Sequence, residues 1–178
     1  LLWTGAATDT VDVYNSSDFS LVSSASTATG GDPEGLASDG TSAFLARTNY
    51  EIRDMATLAS VTTGDAVPVG VGVHMLYGNG ALYHFLTSSS RIVRVNPADA
   101  TIIWNVTAGA MQLHGVRGCA TGSDFMAYVS QTGTGSVNVQ CVEADDGATR
   151  WSDSFATVYS VAVSDDDRIF ACGLRREA

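Results

Sequence analysis

Residues 95–101 read Val95-Asn96-Pro97-Ala98-Asp99-Ala100-Thr101, a hydrophobic position followed by a polar turn and the start of a second apolar strand. The same pattern occurs at residues 13–19, 52–58 and 142–148. The copies begin at positions 13, 52, 95 and 142, so they are 39, 43 and 47 residues apart. A repeat of this length indicates a chain built from similar structural units.

Each full repeat divides into four predicted strands. The first strand is short and rich in small apolar residues, and a tight turn follows it, as at Asp39-Gly40 and Asn79-Gly80. These dipeptides are the strongest hairpin signals, because both central residues of a type I′ turn need positive φ. The predicted first strands lie around residues 35–38, 75–77, 116–120 and 160–163.

Short strands separated by regular turns leave a sandwich, a barrel or a propeller as the fold. The period of about 40 residues favours a propeller, in which small side chains line the crowded central axis. We therefore expect an all-β β-propeller with about three complete four-stranded blades and a partial blade at each end, as an excerpt of a larger propeller. The expected boundaries are 1–29 (partial), 30–65, 66–110, 111–156 and 157–178 (partial).

Two segments, Val95 to Trp104 and Val142 to Trp151, resemble the repeat of quinoprotein-type (PQQ-like) β-propellers. Residues 35–40 together with Ile52-Arg53-Asp54 resemble blades of the NHL/YVTN kind. Such blades occur in enzymes and scaffolds alike, so the resemblance implies a fold and no particular activity. In such blades, Trp104 and Trp151 are expected to pack between neighbouring blades.

Composition excludes several classes of protein. With 45 % hydrophobic and 16 % charged residues, the 178-residue chain can form a folded core. Its longest nearly uncharged apolar run, residues 66–77, is too short to span a bilayer. A net charge of −10 disfavours nucleic acid as a partner. The nine basic residues are all Arg, and the absence of Lys excludes Schiff-base chemistry and a P-loop.

Two N-glycosylation acceptor triplets begin at Asn15 and Asn105. Together with the acidic, Ser/Thr-rich composition, they favour an extracellular or cell-surface location. The three cysteines, Cys119, Cys141 and Cys172, have no metal-ligand spacing and are expected to be small buried hydrophobes. A disulfide between two of them requires Cα atoms within about 7 Å.

Alignment of the first strands places Glu34, His74, Arg117 and Tyr159 at equivalent positions, where propeller residues ring one mouth of the central channel. Such a ring can bind a small polar or anionic ligand, with Arg117 as the bidentate donor and Glu34 or His74 as proton partners. Water filling a polar channel mouth explains the same residues without a ligand. The acidic runs 145–146 and 165–167 are expected to be turns, and we predict no catalytic set, metal or cofactor.

The sequence therefore favours a non-enzymatic propeller scaffold or binding module that contacts protein or carbohydrate. One alternative is part of a quinoprotein dehydrogenase-like or lyase-like propeller enzyme with its site at the central channel. Another is a structural subunit of an extracellular filament or appendage, which associates with itself through open blade edges.

Overall fold

The computed structural model describes residues 2–5, 10–26, 35–69, 72–86, 88–108, 119–132 and 136–174. The helices and strands assigned within these ranges comprise seventeen β-strands and no helix. The strands form five antiparallel sheets. No helix in the described ranges is long and apolar enough to cross a membrane. The predicted all-β class is confirmed.

Each sheet is a meander, in which every strand pairs with the next one along the chain. The first sheet contains β1 (Leu2–Gly5), β2 (Thr10–Tyr14) and β3 (Leu21–Ser26). The second contains β4 (Gly35–Ser38), β5 (Ser42–Ala46), β6 (Asn49–Asp54) and β7 (Ser60–Ala66). The third contains β8 (Gly72–Gly78), β9 (Ala81–Leu86), β10 (Arg91–Val95) and β11 (Ile102–Thr107). The fourth contains β12 (Cys119–Thr121), β13 (Phe125–Thr132), β14 (Ser136–Glu143) and β15 (Thr149–Phe155), and the fifth contains β16 (Thr157–Val163) and β17 (Ile169–Leu174).

The turn between β8 and β9 has the conformation predicted from its Asn-Gly sequence. Gly78 pairs with Ala81, so only Asn79 and Gly80 form the loop. Their φ angles are 50° and 73°, the left-handed values that a type I′ turn requires.

The repeated turn that connects the third and fourth strands of each four-stranded sheet has a conserved set of hydrogen bonds within this chain. In the third sheet, Asn96 N–H donates to the Thr101 carbonyl at 2.8 Å, and Ala100 N–H donates to the Asn96 carbonyl at 2.9 Å. The same turn joins β2 to β3 in the first sheet. Counted from Asn15, Asp54, Asn96 and Glu143, the fifth residue of each turn has positive φ, which costs an ordinary residue roughly 1–2 kcal/mol. Burial of the Leu58 side chain, which is 1 % exposed, offsets this strain in the second sheet. The four φ angles are 56° at Phe19, 57° at Leu58, 61° at Ala100 and 75° at Gly147.

The first strands of the successive four-stranded sheets lie side by side around a common centre. β4 contacts β8, β8 contacts β12, and β12 contacts β16. Gly78 on β8 approaches β12 so closely that a Cβ atom there would overlap the Thr121 hydroxyl. The small first strands are therefore innermost, as a propeller requires.

The hydrophobic core consists of clusters between neighbouring sheets. One cluster joins Phe44 and Ile52 of the second sheet to Met75, Leu82 and Val93 of the third. Similar clusters join the first sheet to the second, the third to the fourth and the fourth to the fifth. Second strands are the most deeply packed, and all six residues of β9 are buried. Neighbouring sheets therefore stabilise each other through their faces.

The two repeat tryptophans differ in packing. Trp104 is part of the core between the third and fourth sheets, and its Nε1–H donates to the Ala144 carbonyl of the next repeated turn at 2.8 Å. Trp151, at the equivalent position of the fourth sheet, is 38 % exposed. Among the described residues, no repeated turn of the fifth sheet packs against Trp151. The expected packing between blades is therefore seen at Trp104 and not at Trp151 in the described part of the chain.

The three thiols are free and differ in burial. Cys141 on β14 is buried and Cys119 on β12 is half-buried, as expected for small core residues. Cys172 is exposed, and its expected burial is wrong. It lies on β17, which pairs with β16 among the described strands.

Candidate functional site

The structure describes only part of the ring of four residues expected at the channel mouth. Glu34 and Arg117 lie outside the described residues, and for Tyr159 only the backbone, within β16, is described. His74 lies on β8, half-buried, with its ring stacked on Phe85 at a centroid distance of 6.1 Å. Burial lowers the pKa of His74, which favours its neutral form. Ligand binding by the four residues stays a prediction.

A polar cavity of about 610 Å³ lies at the other end of the first strands. β8, β12 and β16 run towards it and turn there into their second strands. Along β8, Gly78 at the cavity lies four residues, or roughly 13 Å, from His74 of the expected ring. The lining residues are Gly78, Asn79, Thr121, Ser123, Val163, Ser164, Asp165 and Asp167.

Hydrogen bonds between successive turns hold the cavity in shape. Asn79 Nδ2 donates to the Gly122 carbonyl at 2.5 Å, linking the third sheet to the fourth. Ser123 N–H donates to Asp167 Oδ1 at 2.7 Å, and the Ser123 hydroxyl donates to the other oxygen of the same carboxylate. These bonds link the fourth sheet to the fifth, so the rim is a continuous chain of contacts across three sheets.

The cavity carries negative charge. Both ionisable side chains that line it, Asp165 and Asp167, are carboxylates. Asp167 is used in the contact with Ser123, whereas the exposed Asp165 carboxylate has no hydrogen-bond partner among the described residues. The neighbouring cation, Arg168, is paired with Asp166 at 2.9 Å. Of the two carboxylates at the cavity, Asp165 is therefore the one free to accept hydrogen bonds from a ligand.

The acidic runs behave as turns. Asp146 Oδ1 accepts a hydrogen bond from Ala148 N–H at 2.8 Å, and Asp166 accepts one from the Ser164 hydroxyl at 2.5 Å. Within the described ranges, no group of three or more His, Cys, Asp or Glu side chains is arranged to hold a metal ion. The carboxylates and hydroxyls that line the cavity can accept hydrogen bonds from a ligand.

Sequence reasoning missed this cavity because its contacts join distant residues. Asn79-Gly80 and Asp165-Asp166 were both recognisable as turns. Ser123 and Asp167 are 44 positions apart, which matches the repeat, and this spacing was the available signal. Comparison of the turns following the first strands, rather than of the residues preceding them, would have located the site.

Both predicted glycosylation acceptors are exposed. Asn15 lies in the repeated turn of the first sheet, where its Oδ1 accepts a hydrogen bond from Ser17 N–H at 3.0 Å. Asn105 lies on β11, the outermost strand of the third sheet. Their modification is untested.

A second polar group is buried between the second and third sheets. Tyr50 on β6 and His84 on β9 share a hydrogen bond of 3.0 Å between the hydroxyl and Nδ1. Burial, and to a smaller extent the nearby His74, lowers the pKa of His84 to about 4. This imidazole is therefore neutral in the folded protein at neutral pH.

Several solved structures share this arrangement of sheets. The designed protein Ika8 aligns with a TM-score of 0.70 at 9 % identity, over 96 % of this chain and 52 % of its own. BamB from Moraxella catarrhalis, a β-propeller, aligns with a TM-score of 0.62 at 14 % identity, over 97 % of this chain and 58 % of its own. Hydrazine synthase of Kuenenia stuttgartiensis aligns with a TM-score of 0.66 at 9 % identity, over 92 % of this chain and 49 % of its own.

The chain thus spans about half the length of each of these structures. No protein-family model and no curated protein matches the sequence. At such low identity the likeness concerns the fold and not the activity. The chain has a β-propeller fold.

Proposed function

We propose that this chain is a non-enzymatic propeller module that binds another protein at the cavity formed by the turns of the third, fourth and fifth sheets. The observation that carries the proposal is the unpaired Asp165 carboxylate in a preformed polar cavity. A rigid concave site with a few placed polar groups is the usual form of a binding pocket.

The chemistry of the cavity favours a basic side chain of the partner. Its charged groups are carboxylates, and an arginine guanidinium can bind a carboxylate with two parallel hydrogen bonds. The Thr121 and Ser164 hydroxyls can accept further N–H donors. The net charge of −10 attracts a cationic segment from a distance. A carbohydrate, whose hydroxyls also donate to carboxylates, is the alternative occupant.

The test uses the protein with peptides that carry a central arginine, compared with the same peptides carrying citrulline. We expect Asp165→Asn to weaken binding of the arginine peptides about tenfold or more, because a charge-assisted hydrogen bond contributes roughly 1.5–3 kcal/mol. Asp153→Asn, an exposed carboxylate on β15, is the matched control and should leave affinity unchanged. Equal binding of arginine and citrulline peptides, or binding of neutral glycans alone on an array, would reject a basic protein ligand.

We also propose an extracellular or cell-surface location with glycans at Asn15 and Asn105. The exposure of both side chains supports this assignment. Intact mass before and after deglycosylation, measured on protein secreted from eukaryotic cells, should show two occupied sites. Replacement of each Asn by Gln should remove one glycan, and an unmodified secreted product would contradict the proposal.

Self-association through open strand edges is a second candidate, because apolar side chains are exposed on the first and fifth sheets. Phe19 is 69 % exposed and Phe170 on β17 is 58 % exposed. A second copy of the chain could cover these surfaces. Light scattering after size exclusion should then show a dimer that Phe170→Glu dissociates, whereas a monomer at all concentrations would exclude it.

A further inference from the structure

A buried hydrogen bond crosses the interface between the second and third sheets. His84 on β9 is 0 % exposed, and Tyr50 on β6 is 1 % exposed. Their rings meet edge to face with centroids 5.6 Å apart, and the hydroxyl lies 3.0 Å from Nδ1. β6 and β9 belong to different sheets, so this pair is a polar contact inside an otherwise apolar interface.

The second nitrogen of the imidazole has no partner among the described residues. His84 Nε2 is buried and forms no hydrogen bond with any of them. The adjacent ring carbon, Cδ2, lies beside Gly35 on β4, where an added Cβ would be 3.1 Å away. In the neutral imidazole, one nitrogen carries a proton and the other does not, and Tyr50 can satisfy Nδ1 in either tautomer. In the imidazolium both nitrogens are donors, so Nε2–H would be a buried charged donor without an acceptor.

The described residues around His84 offer no compensating negative charge. β6 contributes Tyr50, β4 contributes Gly35, and β8 contributes Met75, which is paired with His84 in register. The titratable group whose charge acts on His84 is His74 on β8, and its positive form would repel a protonated His84. Glu51, which flanks Tyr50 on its own hairpin, is already paired with Arg47 at 3.5 Å and with Arg53 at 2.9 Å. Among the described residues, no carboxylate contacts the His84 ring.

We propose that the interface between the second and third sheets is an acid-sensitive contact, closed while His84 is neutral and opened when this residue takes up a proton. Opening gives Nε2–H access to water and separates the Tyr50–His84 pair. The two sheets then part along β6 and β9, and the pairing of each of these two strands within its sheet opens locally while the fourth sheet keeps its own strand pairing.

The pH range follows from the direction of the pKa shift. The pKa of His84 in the closed state is about 4, below the ordinary value of 6.5 that a solvated imidazole has. The open state therefore binds more protons between these two values, and the closed state loses stability as the pH falls from about 6.5 towards 4. From these two pKa values, the opening equilibrium constant increases about 70-fold between pH 7.5 and pH 4.5.

Amide hydrogen exchange, corrected for the intrinsic pH dependence, tests the location of the opening. Between pH 7.5 and 4.5 we expect protection to fall by about 70-fold at β6 and β9 while β14 in the fourth sheet stays protected. A uniform loss of protection over all sheets would show general acid destabilisation and would reject a local contact.

Two variants test the residue. His84→Gln keeps a neutral hydrogen-bonding side chain and should remove the acid-dependent loss of protection at β6 and β9. His74→Gln removes the other imidazole and should leave that loss in place. If His84→Gln fails to fold, the pKa of the His84 imidazole is measured instead, by an NMR titration of the unaltered protein. A His84 pKa near 4 supports the proposal, and titration near 6.5 in the folded protein overturns it.

Discussion

Replacement of the two equivalent tryptophans by alanine should have unequal effects. Trp104 packs in the core between the third and fourth sheets, against the Tyr83 ring at a centroid distance of 5.9 Å, and donates a hydrogen bond to Ala144. Trp151 occupies the same position one repeat later but is 38 % exposed and makes no such hydrogen bond. The pair thus gives a matched comparison of one substitution with and without contact to the next repeated turn.

We expect Trp104→Ala to lower the free energy of unfolding by about 3 kcal/mol. Truncation of a fully buried Trp costs about 3–5 kcal/mol, and incomplete burial places Trp104 at the lower end. The lost hydrogen bond contributes about 1 kcal/mol of this. The Ala144 carbonyl is not left unpaired, because Arg94 Nη1 also donates to it, at 2.5 Å. For Trp151→Ala we expect a loss of about 1 kcal/mol, since its exposed surface leaves a smaller area to lose.

Urea unfolding followed by far-ultraviolet circular dichroism measures both losses without relying on tryptophan fluorescence. The slopes should stay equal, so that midpoints report stability. Melting temperatures should fall by roughly 6–12 °C for Trp104→Ala and by 2–4 °C for Trp151→Ala. Equal losses for the two variants would show that the contact with the next repeated turn contributes nothing measurable to stability.

Two further outcomes are expected. Gly64→Ala should destabilise the chain by about 1–3 kcal/mol in the same urea assay, because the new Cβ would overlap the Ala100 backbone carbonyl; an unchanged midpoint would mean that these backbones are not in contact. With iodoacetamide at neutral pH, the native chain should gain one adduct, at the exposed Cys172. Burial raises the pKa of Cys119 to about 12 and of Cys141 to about 11, so these thiols should react only after unfolding, and three adducts on the native chain would contradict the fold.

Local sequence chemistry predicted part of the fold: Asn79-Gly80 forms the expected turn, whereas at Asp39-Gly40 only Gly40 has positive φ and no type I′ turn forms. Asn79-Gly80 adopts the predicted turn because its backbone preference depends on these two residues alone. The repeated pattern beginning at Val95 predicted the turn between third and fourth strands, since its hydrogen bonds join residues at most five positions apart. Turns whose conformation depends on residues close in sequence could therefore be predicted without a structure.

The candidate site and the buried pair depend on residues that are distant in sequence. Ser123 reaches Asp167 across 44 positions, and Tyr50 reaches His84 across 34. No local preference marks such contacts, and His84 reads as an ordinary strand residue until its burial is known. The exposure of Trp151 could not be predicted for the same reason, because it depends on contacts with another sheet and not on the sequence of its own repeat.

The placement of the core between neighbouring sheets has a consequence for how the chain loses structure. Each sheet is stabilised mainly by its two nearest neighbours, so the free energy is approximately a sum of unit and junction contributions, as in a one-dimensional array. Among the described residues, the first and fifth sheets each take part in a single cluster, so their amides should exchange sooner than those of the inner sheets. At neutral pH, β9, fully buried between two clusters, should be the last of the described strands to exchange its amide hydrogens.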